Sequence, residues 1–461
     1  MSGLLARVSV VGFFTAATLH AQPITPQFRV NTNTPYGQGF PSVARLSTHG
    51  YVVVWATLEG NSLGVWGQRL SVSGSPIGSE FRVSSSTTGY FTHPAVASDE
   101  AGNFVVAWSG SKSHGNPGIF GRRFSSFGSP LDDDFRVNGN NTNETKFPDV
   151  AFDPTGSFFV VAWQLSDTQS ASYGIFAHRY SSSGAALGGV FHVDTATTGV
   201  QFTPSVSASS GFFVVVWTDQ STTATSAFGR TYSADGTALL PNQVPLDAFT
   251  TAFQSPSDVV MLADDSFVVC WDGDGPGDGG GVFARRFNVN GAGLGASFRV
   301  NTYTTDSQSS GHIASDPLGH FVVVWTSHVE DGSYSGVFGQ RLDGTGAFIG
   351  GEFRVNQNTT GAQDYAIVAT SAVADDFLVV FRDDDISGIS SGIWARAYTL
   401  IGDANGDGMR DVADVFYLIN ALFASGPAPK VLSDVNHDGN VDVADVFYLI
   451  NYLFAGGPEP G

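Results

Sequence analysis

The sequence predicts a mainly β chain: a seven-bladed β-propeller of four-stranded blades closed by its N-terminal strand, followed by a small α-helical module built on two cation loops. Three observations predict it. One motif recurs at near-constant spacing, every repeat carries a β-branched run ending in an aromatic, and at Ile401 the composition changes to an Asp-rich loop that occurs twice.

The recurring motif is Phe28-Arg29-Val30-Asn31. It returns at Phe81-Arg82-Val83, Phe135-Arg136-Val137-Asn138, Phe298-Arg299-Val300-Asn301 and Phe353-Arg354-Val355-Asn356, with degenerate copies at Phe191-His192-Val193-Asp194 and Val244-Pro245-Leu246-Asp247. Successive copies start 53 to 56 residues apart. Between them lie three further apolar segments. The first follows a proline in most copies, as in Pro41-Ser42-Val43-Ala44 and Pro148-Asp149-Val150-Ala151. The second is a Val-rich run ending at Trp55, Trp108, Trp163, Trp217, Trp271 and Trp325, and at Phe381 in the seventh copy. The third is aromatic and Gly-rich, as in Gly64-Val65-Trp66-Gly67 and Gly336-Val337-Phe338-Gly339.

Segments this short, rich in Val, Phe and Trp and bounded by Gly, Ser and Asp, are strand-forming. The Val runs do not alternate, so both of their faces are expected to be buried, as in a strand inside a stack of sheets. About 54 residues for four strands is the size of one propeller blade. The first Phe-Arg-Val-Asn strand has no blade in front of it, and the seventh blade lacks such a strand after it. Pairing the two closes the ring and removes an exposed sheet edge.

The rest of the composition agrees. The chain has 461 residues, 56 Gly, only 3 Met and 14% charged residues, which argues against long surface helices. A formal charge of −21 excludes nucleic acid and anionic membranes as natural partners. The single cysteine, Cys270, sits in the run Phe267-Val268-Val269-Cys270-Trp271 and reads as a small core residue. Residues 1–21 read as a bacterial signal peptide: Arg7, an apolar stretch from Val8 to Leu19, and a cleavage site after Ala21. No later stretch is apolar for long enough to span a bilayer. The domains expected are therefore 1–21, 22–400 and 401–461. An arginine recurs near the end of the aromatic strand, at Arg69, Arg123, Arg179, Arg286 and Arg341. It reads as a structural residue of each blade, in preference to a ring of anion-binding cations.

Residues 403–414 are Asp403-Ala404-Asn405-Gly406-Asp407-Gly408-Met409-Arg410-Asp411-Val412-Ala413-Asp414, and the pattern returns 31 residues later from Asp434 to Asp445. Calcium takes six to eight oxygen ligands, and this spacing supplies them. Asp403, Asn405 and Asp407 occupy loop positions 1, 3 and 5, Gly408 permits the turn, and the Met409 carbonyl follows. Asp411 acts directly or through water, and Asp414 closes the shell from the first turn of a helix. Asp434, Asn436, Asp438, the Asn440 carbonyl, Asp442 and Asp445 repeat the set. Residues 401–461 hold nine acids and two bases, a net charge of −7, so folding of this segment is expected to depend on two Ca²⁺ ions. After each loop an apolar face follows, with Val415, Phe416, Leu418, Ile419, Leu422 and Phe423 in the first copy and its match from Val446 to Phe454 in the second. The two helices are expected to pack on each other.

This segment resembles the type I dockerin, with two calcium loops, each followed by a helix, and no entering helix. The resemblance implies calcium binding and a cohesin-like partner on a scaffold protein, often in the service of polysaccharide degradation. It also implies partner contacts from the dyad at loop positions 10 and 11, here Val412-Ala413 and Val443-Ala444. In cellulosomal dockerins that dyad is often rich in Ser and Thr. An identical dyad in both loops would permit docking in two orientations.

No His-Glu-x-x-His, Gly-x-Ser-x-Gly or phosphate loop occurs. The acid runs Asp132-Asp133-Asp134, Asp264-Asp265 and Asp383-Asp384-Asp385 fall where blade turns are expected, and the run Asp272 to Asp278 lacks a closing acid for a third metal site. The leading expectation is thus a secreted docking protein whose propeller is a binding platform for carbohydrate or another extracellular ligand. The alternatives are a polysaccharide-degrading hydrolase or lyase carrying the same tail, and a structural surface or matrix protein. Acids converging on the central funnel would favour the enzyme.

Overall fold

The computed structural model describes the chain from Gln22 to Ala455, apart from short loop segments, the longest being 140–144, 247–253 and 385–390, and much of the two loops at 400–411 and 428–439. Residues 1–21, expected from the sequence to be a signal peptide, lie outside the described residues. No described helix is long and apolar enough to cross a membrane.

Each repeat is an antiparallel meander. In the first, Gln38–Arg45 pairs with Tyr51–Glu59, which pairs with Ser62–Leu70, which pairs with Pro76–Arg82. The same order recurs down the chain to Gln363–Thr370, Phe377–Asp384 and Ser391–Thr399. There the outer strand comes from the other end of the chain: Phe28 pairs with Ala395 and Arg29 with Trp394, and Gln22–Pro23 adds along the same strand. The fold is mainly β and propeller-like.

The Val runs behave as expected of strands buried on both faces. Val52, Val53 and Val54 are wholly inaccessible. Val52 and Val54 pack with Val96, Val106 and Trp108 of the second repeat. Val53 and Trp55 pack with Ala369, Leu378 and Val380 of the last. Val322 and Val324 face the seventh repeat, while Val323 and Trp325 face the fifth. Alternation is absent because each strand feeds two cores, one on either side. Cys270 is fully buried in one of these cores, and its thiol donates weakly to the Gly311 carbonyl.

The repeated motif has a physical account. Its Asn side chain accepts the backbone N–H of the neighbouring third strand: Asn301 from Val282 and Asn356 from Val337, both at 2.8 Å, and Asn31 from Ile393 at 2.8 Å. The same amide donates to a Gln that opens the next repeat, as Asn31 to Gln38, Asn301 to Gln308 and Asn356 to Gln363, each at 3.1 Å. The motif Phe needs the Gly opposite it. A Cβ on Gly67, Gly121 or Gly339 would lie 2.8, 2.7 and 2.7 Å from the ring of Phe81, Phe135 and Phe353.

The recurring arginines join repeats. Arg69 donates to the Ser126 carbonyl at 3.1 Å and Arg286 to that of Gly344 at 2.6 Å, and Arg123 and Arg179 reach the matching turns at Ser182 and Ala234. One position earlier, Arg122, Arg230 and Arg396 donate backward to Val83, Val193 and Val355, each at 3.0 Å. They hold neighbouring repeats together through backbone carbonyls, the structural role expected of them.

The tail contains helix α1 (Val412–Phe423) and helix α2 (Val443–Ala455). Val415 and Leu418 pack with Val446 and Leu449, so the helices meet as expected. The expected broad apolar face is used only in part: Phe416, Ile419 and Phe423 stay exposed.

Candidate functional site

The innermost strands of the repeats surround a cavity of about 740 Å³. Each strand carries a β-bulge near its start. Just before the bulge, Phe40, His93, Phe147 and Tyr365 have φ of 53, 50, 50 and 51°, a left-handed conformation that bulky residues rarely take. Their rings touch in sequence: Tyr365 to Phe40 at 5.3 Å between centroids, Phe40 to His93 at 4.1 Å, and His93 to Phe147 at 4.7 Å. Burial, with Lys146 nearby, lowers the His93 pKa to about 4, so the imidazole is neutral. Its Nδ1 is buried with no hydrogen-bond partner.

Just after the bulge, the polar side of the cavity carries Asp149, Ser205, Asp258 and His312. Ser205 donates its hydroxyl to Asp258 Oδ1 at 2.7 Å and also hydrogen-bonds Asp149. Asp258 Oδ2 accepts the Ile313 N–H at 3.1 Å and lies 3.3 Å from His312 Nδ1. Asp149 accepts the N–H groups of Val206 at 2.7 Å and Val150 at 2.8 Å. Burial, reinforced by the charge of Asp258, pushes the Asp149 pKa up to about 7 despite those donors. Burial opposes charge on His312, but its bond to Asp258 and the acids around it raise its pKa on balance. Asp149, Ser205, Asp258 and His312 thus form one hydrogen-bonded group in the cavity wall, in which Asp149 keeps its proton to a higher pH than an ordinary carboxyl.

Both acids also have a structural task, since Asp149 and Asp258 each cap an N–H of the next repeat, as Ser42 does for Val96 at 3.2 Å. The turn acids are engaged elsewhere: Asp132 pairs with Arg123, Asp134 with Ser85 and Asp264 with Arg286. Asp383 and Asp384, expected in a turn, instead end the strand Phe377–Asp384, where Asp383 pairs with Gln363 across the ladder. Asp385 lies outside the described residues.

In the tail, Asp414 and Asp445 are fully buried at the starts of α1 and α2. Asp445 Oδ1 accepts the N–H of Val435 at 2.8 Å and of Asn436 at 3.3 Å, and Oδ2 accepts that of Asp442 at 2.8 Å. One carboxylate thus ties the beginning of the loop to its end. Asp442 caps α2 by accepting the Ala444 N–H at 2.7 Å. Asn436 and Asn440 are also described, whereas Asp403, Asn405, Asp407, Met409, Asp411, Asp434 and Asp438 lie outside the described residues. Among the described residues alone, no three acids or His converge on a metal position. The oxygen-only donor set and a buried Asp445 bound to both loop ends fit calcium. Val412, Phe416, Ile419 and Phe423 are exposed along α1 at spacing i, i+4, i+7, i+11, and Val443, Phe447 and Phe454 repeat this on α2. Phe416, Phe423 and Phe447 are 64, 67 and 66% accessible.

Residues 401–454 match the dockerin type I domain. The dockerin dyads Val412-Ala413 and Val443-Ala444 stand in the first helical turns, at the head of the exposed stripes. A search of curated protein sequences found no match. Among solved structures, a protein of unknown function from Dyadobacter fermentans superposes with a TM-score of 0.51 at 11% identity, covering 82% of this chain and 99% of its own. An ulvan lyase, a polysaccharide lyase, gives 0.51 at 12% identity, covering 81% and 96%. An α-L-arabinofuranosidase of Fusarium graminearum with arabinobiose gives 0.47 at 12%, covering 67% and 92%. At these identities the likeness is one of fold alone.

The dockerin loops were legible in the sequence; the cavity group was not. The available signal was one repeat position. Asp149, Ser205, Asp258 and His312 occupy the place that Ser42, Ala95 and Ile367 hold in the other repeats.

Proposed function

We propose that this chain is a secreted protein that docks through its dockerin to a cohesin-like partner in a calcium-dependent way and presents a binding platform in its repeat region. In this reading residues 1–21 are removed on export, 22–400 form the platform and 401–461 the docking module. The platform is a seven-bladed propeller closed by the N-terminal strand. The Phe28–Ala395 pairing and the shared core of the first and last repeats support that closure. Two Ca²⁺ ions are held by Asp403, Asn405, Asp407, Met409, Asp411 and Asp414, and by Asp434, Asn436, Asp438, Asn440, Asp442 and Asp445. Bound calcium neutralises these carboxylates and gathers each loop onto its helix.

The observation that carries the docking reading is the doubled apolar stripe. Large rings left in water on both helices of a small module mark a protein interaction surface. Immobilised cohesin modules should retain the full-length protein in Ca²⁺ and release it in EGTA. Equal retention in both would sink the reading.

A second reading, a dockerin-bearing glycoside hydrolase or polysaccharide lyase, is favoured by the Asp149–Ser205–Asp258–His312 group in the cavity. Release of reducing ends from a polysaccharide, abolished in Asp149→Asn, would establish it. Equal release by that variant would remove these residues from the chemistry.

A further inference from the structure

The innermost strands vary at the two ring positions that flank the bulge and line the cavity. Before the bulge, Tyr365, Phe40, His93 and Phe147 follow one another around the opening, and Thr203 and Ser310 stand on the remaining arc. After the bulge, Ile367, Ser42 and Ala95 lie in the repeats of the aromatic arc. Asp149 shares its strand with Phe147 at the end of the aromatic arc, and Ser205, Asp258 and His312 lie in the repeats that follow. These two positions diverge together, and the divergence gives one cavity an apolar side and a polar side.

A residue other than glycine with φ near 50° costs about 1–3 kcal/mol, and Thr203 and Ser310 carry it at the same place as the four rings, so the bulge sets this conformation. Four consecutive repeats hold an aromatic ring this way at the cavity mouth. The neutral His93 also leaves a buried nitrogen without a partner in that wall.

A sugar ring has the same two-sided character, with C–H groups on its faces and hydroxyls at its rim. Aromatic faces take the first, and carboxylate, hydroxyl and imidazole groups take the second. The cavity volume of about 740 Å³ is in the range of small-ligand sites. The chain carries −21 overall, so its field disfavours anionic glycans.

We propose that the cavity mouth binds a neutral glycan, its ring stacked on the Tyr365–Phe40–His93–Phe147 arc and its hydroxyls bonded by Ser205, Asp258 and His312. The proposal rests on the reading of the repeat region as a platform and is independent of docking by the tail.

Affinity electrophoresis of the full-length protein tests it, with gels containing neutral polysaccharides (xylan, arabinan, β-glucan, galactan) or anionic ones (ulvan, pectate). At least one neutral polysaccharide should retard the protein, and no anionic one should retard it as strongly. Phe40→Gly deletes a ring where glycine accepts the backbone without strain, and Tyr365→Ala deletes one that is 42% accessible. Each should weaken retardation about tenfold, the loss of one stacking contact of about 1.4 kcal/mol. Thermal melting verifies folding, and if Phe40→Gly is unstable, Tyr365→Ala carries the test. The proposal is overturned if no neutral polysaccharide retards the protein, if an anionic one retards it more, or if the folded variants migrate as the parent does. Cohesin capture that is equal in Ca²⁺ and in EGTA, with retardation intact, would remove the docking reading and leave this one standing.

Discussion

Asp149 is the residue whose chemistry the fold changes most. Its carboxyl titrates near 7 in the folded chain and near 3.8 when unfolded. Between those values the folded state holds a proton that the unfolded state has lost, so stability falls as pH rises from about 4 to about 7 and then levels off. Asp149→Asn removes that term. The variant should gain on the order of 2 kcal/mol over the parent at pH 8 relative to pH 4, read from urea melts at both values. An unchanged difference would mean Asp149 is ionised throughout. The tryptophans make a second case. The indole N–H groups of Trp108, Trp163, Trp217, Trp271 and Trp325 are buried without a hydrogen-bond partner, and the seventh repeat uses Phe381 in the same place. The ring is therefore kept for its volume. Trp217→Phe should stay within about 1 kcal/mol of the parent, because lost volume is offset by relief of an unpaired donor, while Trp217→Ala should cost about 3–5 kcal/mol.

At the level of elements, the outer strand is short, and a side chain completes its work. Phe353-Arg354-Val355 ends in Asn356, whose amide accepts from Val337 and donates to Gln363 of the next repeat. Asn356→Ala leaves both groups buried and unpaired and should cost about 2–3 kcal/mol in a denaturant melt. Asn356→Asp, which nature uses at Asp194, keeps the acceptor and should cost less. The tail helices separate their two faces in the same local way. Val415 and Leu418 hold the module together, so Phe416→Ser and Phe447→Ser should leave melting in Ca²⁺ within about 0.5 kcal/mol. The stripe is duplicated, so either change alone should leave cohesin capture, and both together should abolish it.

At the level of the whole molecule, the first and last repeats depend on residues from opposite ends of the chain. Val30 and Val43 share a core with Leu378, Val380 and Ile393, and Asn31 caps the Ile393 N–H. A chain beginning at residue 33 should lose this core and expose the edge of Ser391–Thr399. Limited proteolysis should then cut first in the seventh repeat, and the melting temperature should fall by several degrees. Cleavage spread evenly over the repeats would show that the ends carry no special share of stability.

The sequence by itself determined whatever is encoded at short range. Strand-forming runs, the motif that closes each repeat and the spacing of oxygen ligands from Asp434 to Asp445 are local, and local chemistry is written residue by residue. The doubling of the Val runs into two cores was also legible, because a strand without alternation has no solvent face. Only the tertiary structure decided that Asp149, Ser205, Asp258 and His312 meet. They come from four separate strands more than 50 residues apart, and each sits in an unexceptional segment. Which repeats stand side by side, and which side of an innermost strand faces the cavity, follows from sheet packing and bulge geometry. That long-range arrangement turns dispersed polar residues into one connected group.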